Sequence, residues 1–286
     1  MKLESDCILC LFQKEMKRLD GKKEPQKLEY TKMVLKEFLE DQGTPPEYQH
    51  IIDFLHKDYW GEVEDIYTEP KKEHNQLLQQ EEEKLWKKIE EANDGLEIAI
   101  KLAGAGNYVD MAVMDTISIP HLLDIIEEYI KQELCSEIYS DFCKELENAK
   151  TLVYLTDNCG EVVLDRLLMK TLKREFPKLN IVTIVKGGAV YNDVTMEDAL
   201  SVGLDEFSDL MDNGIPIAGT CLNKISQDAL NTIHQADLIL SKGQANYETL
   251  VGSGLNIYYL FLCKCQHFEN MLGLKKMSMV FDKERK

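Results

Sequence analysis

From about Lys150 onward the chain alternates apolar runs, turn residues and helix-period segments, and this alternation restricts its fold more than any other feature. Candidate strands cover 151–156, 180–186, 236–241, 256–263 and 277–281. Helical patterns cover 161–175, 195–201, 224–234 and 246–251. Such alternation builds a mainly parallel sheet with helices on its faces. Residues 1 to about 148 read as helical throughout. Leu28, Thr31, Leu35, Phe38 and Leu39 recur at helical spacing and predict one buried face. Gly43-Thr44-Pro45-Pro46 stops that helix and restarts another at Thr44-Pro45. Tyr48, Ile51, Ile52, Phe54 and Leu55 give the next apolar face. Pro70 opens a long charged helix expected to run towards Leu102, with Leu77, Leu78, Leu85, Ile89, Ala92, Leu96, Ile100 and Ala103 in its buried stripe. Ser118 to Phe142 holds two more helices. No internal repeat or low-complexity linker interrupts the chain. The expected fold class is therefore α/β. A domain with a mainly parallel sheet covered by helices occupies 149–286, and an all-helical region, 1–148, packs on it as a cap.

Composition narrows the function classes. The formal charge of −18 over 286 residues argues against nucleic-acid binding, which needs a basic surface to displace counterions. It equally disfavours docking on anionic membranes. Met1-Lys2-Leu3-Glu4-Ser5-Asp6 lacks the basic start and apolar run of a signal peptide. No apolar stretch reaches the ~20 residues of a membrane span. Eight cysteines without a secretory signal read as mostly reduced thiols, so a cytoplasmic location is expected.

Three strand ends carry polar residues suited to one site. Leu152-Val153-Tyr154-Leu155-Thr156 runs into Asp157-Asn158-Cys159-Gly160-Glu161. The strand ending at Lys186 leads to Tyr191-Asn192-Asp193-Val194-Thr195, and Leu238-Ile239-Leu240 leads to Ser241-Lys242-Gly243-Gln244-Ala245-Asn246. In a parallel sheet these ends face the same way, where ligands of open α/β folds bind. Taken singly, Asp157 or Asp193 is equally a helix cap and Lys242-Gly243 an exposed turn. Taken together they suit a phosphate ester. Asp157 and Asp193 offer charged oxygens to a divalent cation and Asn158 a neutral one, leaving positions for water and phosphate. Mg²⁺ or Mn²⁺ is expected, with Co²⁺ or Ni²⁺ able to substitute. Lys242 balances phosphate charge, Gly243 lets backbone N–H groups come close, and the turn after Asn158 offers helix-starting N–H groups. Gly104-Ala105-Gly106-Asn107-Tyr108-Val109-Asp110 is either a helix C-cap or a lid placing Asn107 and Asp110 over the substrate.

The motifs Gly106-Asn107-Tyr108-Val109-Asp110, Asp157-Asn158-Cys159-Gly160-Glu161, Asn192-Asp193-Val194-Thr195 and Ser241 to Glu248 occur in this order. Together they resemble the metal-dependent damage-control phosphatases, first labelled domain of unknown function 89. Cys7-Ile8-Leu9-Cys10 points to the compact microbial branch of that family. The resemblance implies a helical region on a Rossmann-like three-layer α/β/α domain, with Asp157, Asn158 and Asp193 as metal ligands and Lys242 as the phosphate-contacting lysine. It places Asn107, Asp110, Glu161 and Asn246 in motifs lining the same cleft. It implies hydrolysis of phosphate esters of small metabolites, such as sugar phosphates, some of them damaged. Cys159 departs from the alanine common in relatives, and a thiol beside a metal site is open to oxidation.

Several alternatives stay open. The family also includes proteins described as S-adenosylmethionine-dependent carboxyl methyltransferases, although Lys186-Gly187-Gly188-Ala189 does not make a G-x-G-x-x-G loop. A non-catalytic phosphometabolite-binding protein fits the same cleft. If water is the nucleophile, Asp157 or Glu161 is the candidate to orient it. Cys7 and Cys10 pack as small hydrophobes, form a redox pair, or join Cys263 and Cys265 in a structural metal site.

Overall fold

The computed structural model describes residues 1–40, 43–61, 66–109 and 119–284, the side chains of 109 and 119–122 excepted. Its first three helices, α1 (Ser5–Arg18), α2 (Gln26–Glu37) and α3 (Pro45–Trp60), enclose a small core of Leu11, Leu19, Tyr30, Val34, Tyr48 and Ile52. The restart at Thr44 is a capping box: the Thr44 hydroxyl and backbone N–H both meet Glu47, with proline at the first helical position. The face expected of α2 is corrected. Tyr30 and Val34 are buried, whereas Leu28, Leu35 and Leu39 are 50%, 47% and 81% exposed. Both faces of this helix satisfy a helical period. The aromatic one prevails because Tyr30 meets His56, Tyr59 and Trp60 across α3.

The long helix is also corrected. It divides into α4 (Thr68–Glu91) and α5 (Gly95–Gly106), because the Asp94 carboxylate caps the Glu97 N–H at 3.0 Å and starts a new helix. Two helices follow, α6 (Ile119–Ile130) and α7 (Ser136–Asn148).

The second half supplies β1 (Thr151–Leu155), α8 (Glu161–Glu175), β2 (Asn180–Val185), α9 (Met196–Ser201), β3 (Asp209–Asp212), α10 (Gln227–Gln235), β4 (Leu238–Lys242), α11 (Gln244–Leu250), β5 (Ile257–Leu262), α12 (Gln266–Leu272) and β6 (Met279–Lys283). The strands form one sheet in the order β3-β2-β1-β4-β5-β6, parallel except for β6, which runs against β5. The expected α/β class with a mainly parallel sheet is the observed one. The short edge strand β3 and helix α12 went unpredicted; Asp209-Leu210-Met211-Asp212 has too little apolar length to signal a strand.

Side chains alternate between the two faces of the sheet. Leu152 and Tyr154 of β1 join a core with α4, α5 and α8, while Val153 and Leu155 join one with α10, α11 and α12. Helices from the first half thus complete one layer over the sheet. Helix α5 lies closest, which explains its small residues. A methyl group on Gly104 would meet Met279 Sδ at 2.8 Å and Leu260 Cδ1 at 2.9 Å. Strand order reverses at β1, with β2 on one side and β4 on the other, so loops beyond these three ends converge at the switch point. Among the described residues no helix is long and apolar enough to cross a membrane.

Candidate functional site

The segment after β1 and the one before α9 are stitched together by backbone bonds. Val194 N–H donates to the Asp157 carbonyl at 2.9 Å and Cys159 N–H to the Asn192 carbonyl at 2.8 Å. Asn158 and Asp193 consequently face each other in an antiparallel bridge. Asp157, Asn158 and Asp193 are 6%, 2% and 4% exposed. The structure thus brings the three expected metal ligands together at the switch point.

Asp157 Oδ2 accepts from Asn158 Nδ2 at 2.7 Å and Asn107 Nδ2 at 2.8 Å. Glu161 Oε2 accepts from Asn107 at 2.9 Å and Asn158 at 3.3 Å. The Asn107 carbonyl accepts from Leu262 N–H at 3.1 Å, tying this group to β5. Asn107 is therefore a wholly buried strut rather than a lid contact. Asp110 lies outside the described residues. Glu161 has both oxygens engaged, the second by Lys242, which speaks against its orienting a water.

Lys242 has no exposed surface. Its ammonium donates to Glu161 Oε1 and Asp165 Oδ1, both at 2.5 Å, and to the Ala103 carbonyl at 2.9 Å. Those three bonds use its three donors. Burial alone would lower the pKa of this ammonium, but Asp165 and Glu161 raise it. Burial pushes the Asp165 carboxyl up to about 6 against the pull of Lys242, and Tyr154 donates to it at 2.7 Å. Sequence reading missed Asp165 because it lies inside α8, one turn beyond Glu161, where an acid reads as an exposed helix residue.

Asn246 is likewise spent on the protein. Its Nδ2 donates to the Thr156 and Lys242 carbonyls at 3.0 and 2.7 Å, and its Oδ1 accepts from Thr220 Oγ1 at 2.8 Å. The expected role of Gly243 changes as well. Its N–H donates to the Leu260 carbonyl, and what approaches it closely is the Asp157 carboxylate. A Cβ there would lie 2.1 Å from Asp157 Cγ, and the backbone has φ 79° and ψ 158°. Two N–H groups of the turn after Asn158 are already engaged. Cys159 N–H is bonded to Asn192, and Gly160 N–H to the side chain of Asn75 in α4 at 2.5 Å. Cys159 is buried, and burial drives its thiol pKa far up, so it is shielded from the oxidation expected of it.

Two features had little sequence signal. Lys186, 3% exposed, puts its ammonium 2.7 Å from the Gly219 carbonyl and 3.5 Å from Asp193 Oδ2. Tyr191 has φ 46° and donates its hydroxyl to Asp53 of α3, which also accepts from Arg18 of α1 at 2.7 Å. The site loop is thereby fastened to the first three helices.

Four buried carboxylates, Asp157, Glu161, Asp165 and Asp193, gather with two buried ammonium groups, Lys186 and Lys242. Hard oxygen donors converging in this way suit a divalent cation. Among the described residues, the amide of Asn192, 2% exposed beside Asp193, finds a hydrogen-bond partner for neither its nitrogen nor its oxygen. Among the described residues no three acid, histidine or cysteine side chains are arranged to hold a metal. The donor set is instead two carboxylates with amides, which suits Mg²⁺ or Mn²⁺ retaining water or phosphate oxygens. The same result leaves no ligand set for a metal at Cys7, Cys10, Cys263 and Cys265, all of which are free thiols. Surface depressions of about 470 Å³ along α2 and 300 Å³ beside Cys221 and Gly252 lie elsewhere, and neither is lined by a residue of the cluster.

The damage-control phosphatase ARMT1-like domain matches residues 3–280. The chain belongs to this family. A damage-control phosphatase of Archaeoglobus fulgidus is 31% identical over 257 residues, covering 86% of each chain. One of Pyrococcus horikoshii is 32% identical over 187 residues, covering 64% of this chain; the match spans 63% of that relative's length. A crystal structure of a DUF89 family protein from Pyrococcus horikoshii superposes with a TM-score of 0.81 over the full length of both chains at 24% identity. That likeness establishes the fold. Within the ARMT1-like family fold, the acidic cluster occupies the switch point where a ligand is expected.

Proposed function

We propose that this protein is a divalent-metal-dependent phosphatase acting on phosphate esters of small metabolites, damaged ones among them. The observation that supports the metal dependence is the meeting of Asp157, Asn158 and Asp193, all buried, at the switch point of the sheet. The naming of two relatives as damage-control phosphatases supports the reaction class and the metabolite substrate. Asp157, Asn158 and Asp193 would hold Mg²⁺ or Mn²⁺, which when bound polarises the phosphoryl group and offsets its charge.

The chain's own residues prepare that site. Asn107 and Asn158 aim Asp157 by donating to the same carboxylate oxygen. Lys242 holds Glu161 and Asp165 in place, and Tyr154 adds a bond to Asp165. Such second-layer bonds tune metal affinity by about 10–100-fold. Their near-complete burial keeps water out and strengthens each charge interaction. The methyltransferase alternative gains nothing from this geometry, since β1 ends in acid and amide groups rather than a glycine-rich loop.

The test is aryl phosphate hydrolysis by chelator-treated protein, with Mg²⁺, Mn²⁺, Co²⁺ or Ni²⁺ restored singly, beside Asp193→Asn. Metal-dependent release that collapses in the variant is expected, with weaker metal binding by calorimetry. Unchanged metal-dependent activity in Asp193→Asn would remove Asp193 from the site. Metal binding without turnover of any phosphate ester would overturn the phosphatase.

A further inference from the structure

We propose that Lys186, and not Lys242, is the ammonium that meets the substrate phosphate. The inference rests on the phosphatase reading and names a residue of that same site. It follows from counting donors. An ammonium has three N–H bonds and no acceptor. Lys242 spends all three on Glu161, Asp165 and the Ala103 carbonyl, at distances no longer than 2.9 Å. A phosphate reaching it would have to displace one of them, leaving a buried carboxylate or carbonyl unpaired. Lys186 spends one donor on the Gly219 carbonyl at 2.7 Å. Its next contact, Asp193 Oδ2 at 3.5 Å, is too long for a hydrogen bond. It is nevertheless 3% exposed, so two donors of a buried cation lack acceptors among the described residues.

Its position is fixed by its neighbours. Lys186 directly follows β2, and its N–H donates to the Val194 carbonyl at 2.9 Å, directly beyond Asp193. Gly187 N–H is held by Asn213 Oδ1 at 2.9 Å. The Gly219 carbonyl that receives the ammonium belongs to a loop packed on α11, where Thr220 N–H meets Thr249 at 2.9 Å. The ammonium therefore stands at the edge of the Asp157–Asp193 pair, not behind it.

Charge explains the arrangement. With a cation on Asp193, an ammonium within 3.5 Å of that carboxylate would face a second positive centre. A phosphate dianion placed between them contacts both and removes the repulsion, a two-sided clamp of the kind that stabilises charge in phosphoryl transfer. Phosphate and metal then bind cooperatively, and Lys186 is the link between them.

Calorimetry on the full chain tests this, using Mn²⁺ alone and then inorganic phosphate at saturating Mn²⁺, for wild type, Lys186→Met and Asp193→Asn. Loss of a charged hydrogen-bonding partner predicts phosphate affinity at least tenfold weaker in Lys186→Met. Mn²⁺ affinity without phosphate should be unchanged or tighter, because a neighbouring positive charge has gone. A purely structural lysine would lower both. Phosphate affinity within twofold of wild type overturns the proposal, as does parallel loss of Mn²⁺ and phosphate binding. Lys186→Gln, which keeps a donor for Gly219 without the charge, is read by the same criteria if the methionine variant does not fold. If wild type fails to bind Mn²⁺, or Asp193→Asn binds it equally well, the metal-site reading itself fails and this proposal with it. If Asp193→Asn loses Mn²⁺ while Lys186→Met keeps full phosphate affinity, the assignment of Lys186 alone is wrong.

Discussion

Replacing Gly243 by alanine probes the site at its tightest point. The added methyl carbon would start 2.1 Å from both Cγ and Oδ2 of Asp157 and 2.5 Å from Oδ1. Clearing a nonbonded contact requires the carboxylate to retreat by about 1 Å, a displacement large enough to cost ~10²-fold in a reacting site. The backbone adds to this. With φ 79° and ψ 158°, residue 243 occupies a region open essentially to glycine, where another residue costs about 1–3 kcal/mol. For a chain of 286 residues that corresponds to about 2–5 °C in Tm. Displacement of Asp157 from Asn107 and Asn158 should also weaken metal binding by about 10–100-fold, the range for disturbed ligand support. The assay is thermal unfolding with and without Mn²⁺, beside a Mn²⁺ isotherm. Gly243→Ala should melt lower without metal and lose the Mn²⁺-induced rise in Tm that linkage gives the wild type. A variant that melts lower yet binds Mn²⁺ as wild type does would show that Asp157 is not a ligand. One indistinguishable from wild type in both would refute the close approach itself.

Lys242→Met should cost about 3–5 kcal/mol, because Glu161 and Asp165 would be left buried without their cation. Adding Asp165→Asn should recover part of that loss in chemical denaturation, and its failure to do so would separate the two residues energetically. Asp237 accepts from the Lys150 and Thr151 N–H groups at 2.8 and 2.9 Å, and these bonds, Lys150 first, lower its carboxyl pKa. A lowered folded-state pKa gives stability that is present above the unfolded value of about 4 and lost as pH falls through the folded value. Asp237→Asn should therefore be less stable than wild type at pH 7 by under about 1 kcal/mol, given its exposure, with the gap closing as pH falls below the unfolded value. A gap that widens in acid would reverse the sign of this linkage.

The β1, β2 and β4 ends were legible because a parallel sheet aligns its carboxyl ends and few residue types serve hard cations. Asp157, Asn158 and Asp193 therefore emerged together. The sequence could not tell a polar group that faces a ligand from one that faces the protein. Asn107, Asn246 and Lys242 carry the right chemistry, but their donors end on Asp157 and Glu161, on backbone carbonyls, and on two carboxylates. Asn75 and Asp165 lie within helical patterns where a polar residue signals solvent, and only the packing of α4 and α8 reveals them. The misassigned face of α2 has a similar origin: periodicity states that a face exists, while the aromatic partners on α3 decide which one is buried.

The hydroxyl of Tyr191 ties the site loop to the polar network of the first three helices, and this bears on how the sequence can drift. The apolar filling of the first three helices touches none of the site and tolerates exchange at constant volume. The polar chain from Tyr191 to Asp53, Arg18 and Glu15 has no such latitude. Glu15 is 1% exposed and also serves Tyr30 and His56, so altering one member strands a partner. Positions 15, 18, 53 and 191 should therefore change in concert across lineages, while the leucines and isoleucines around them change singly.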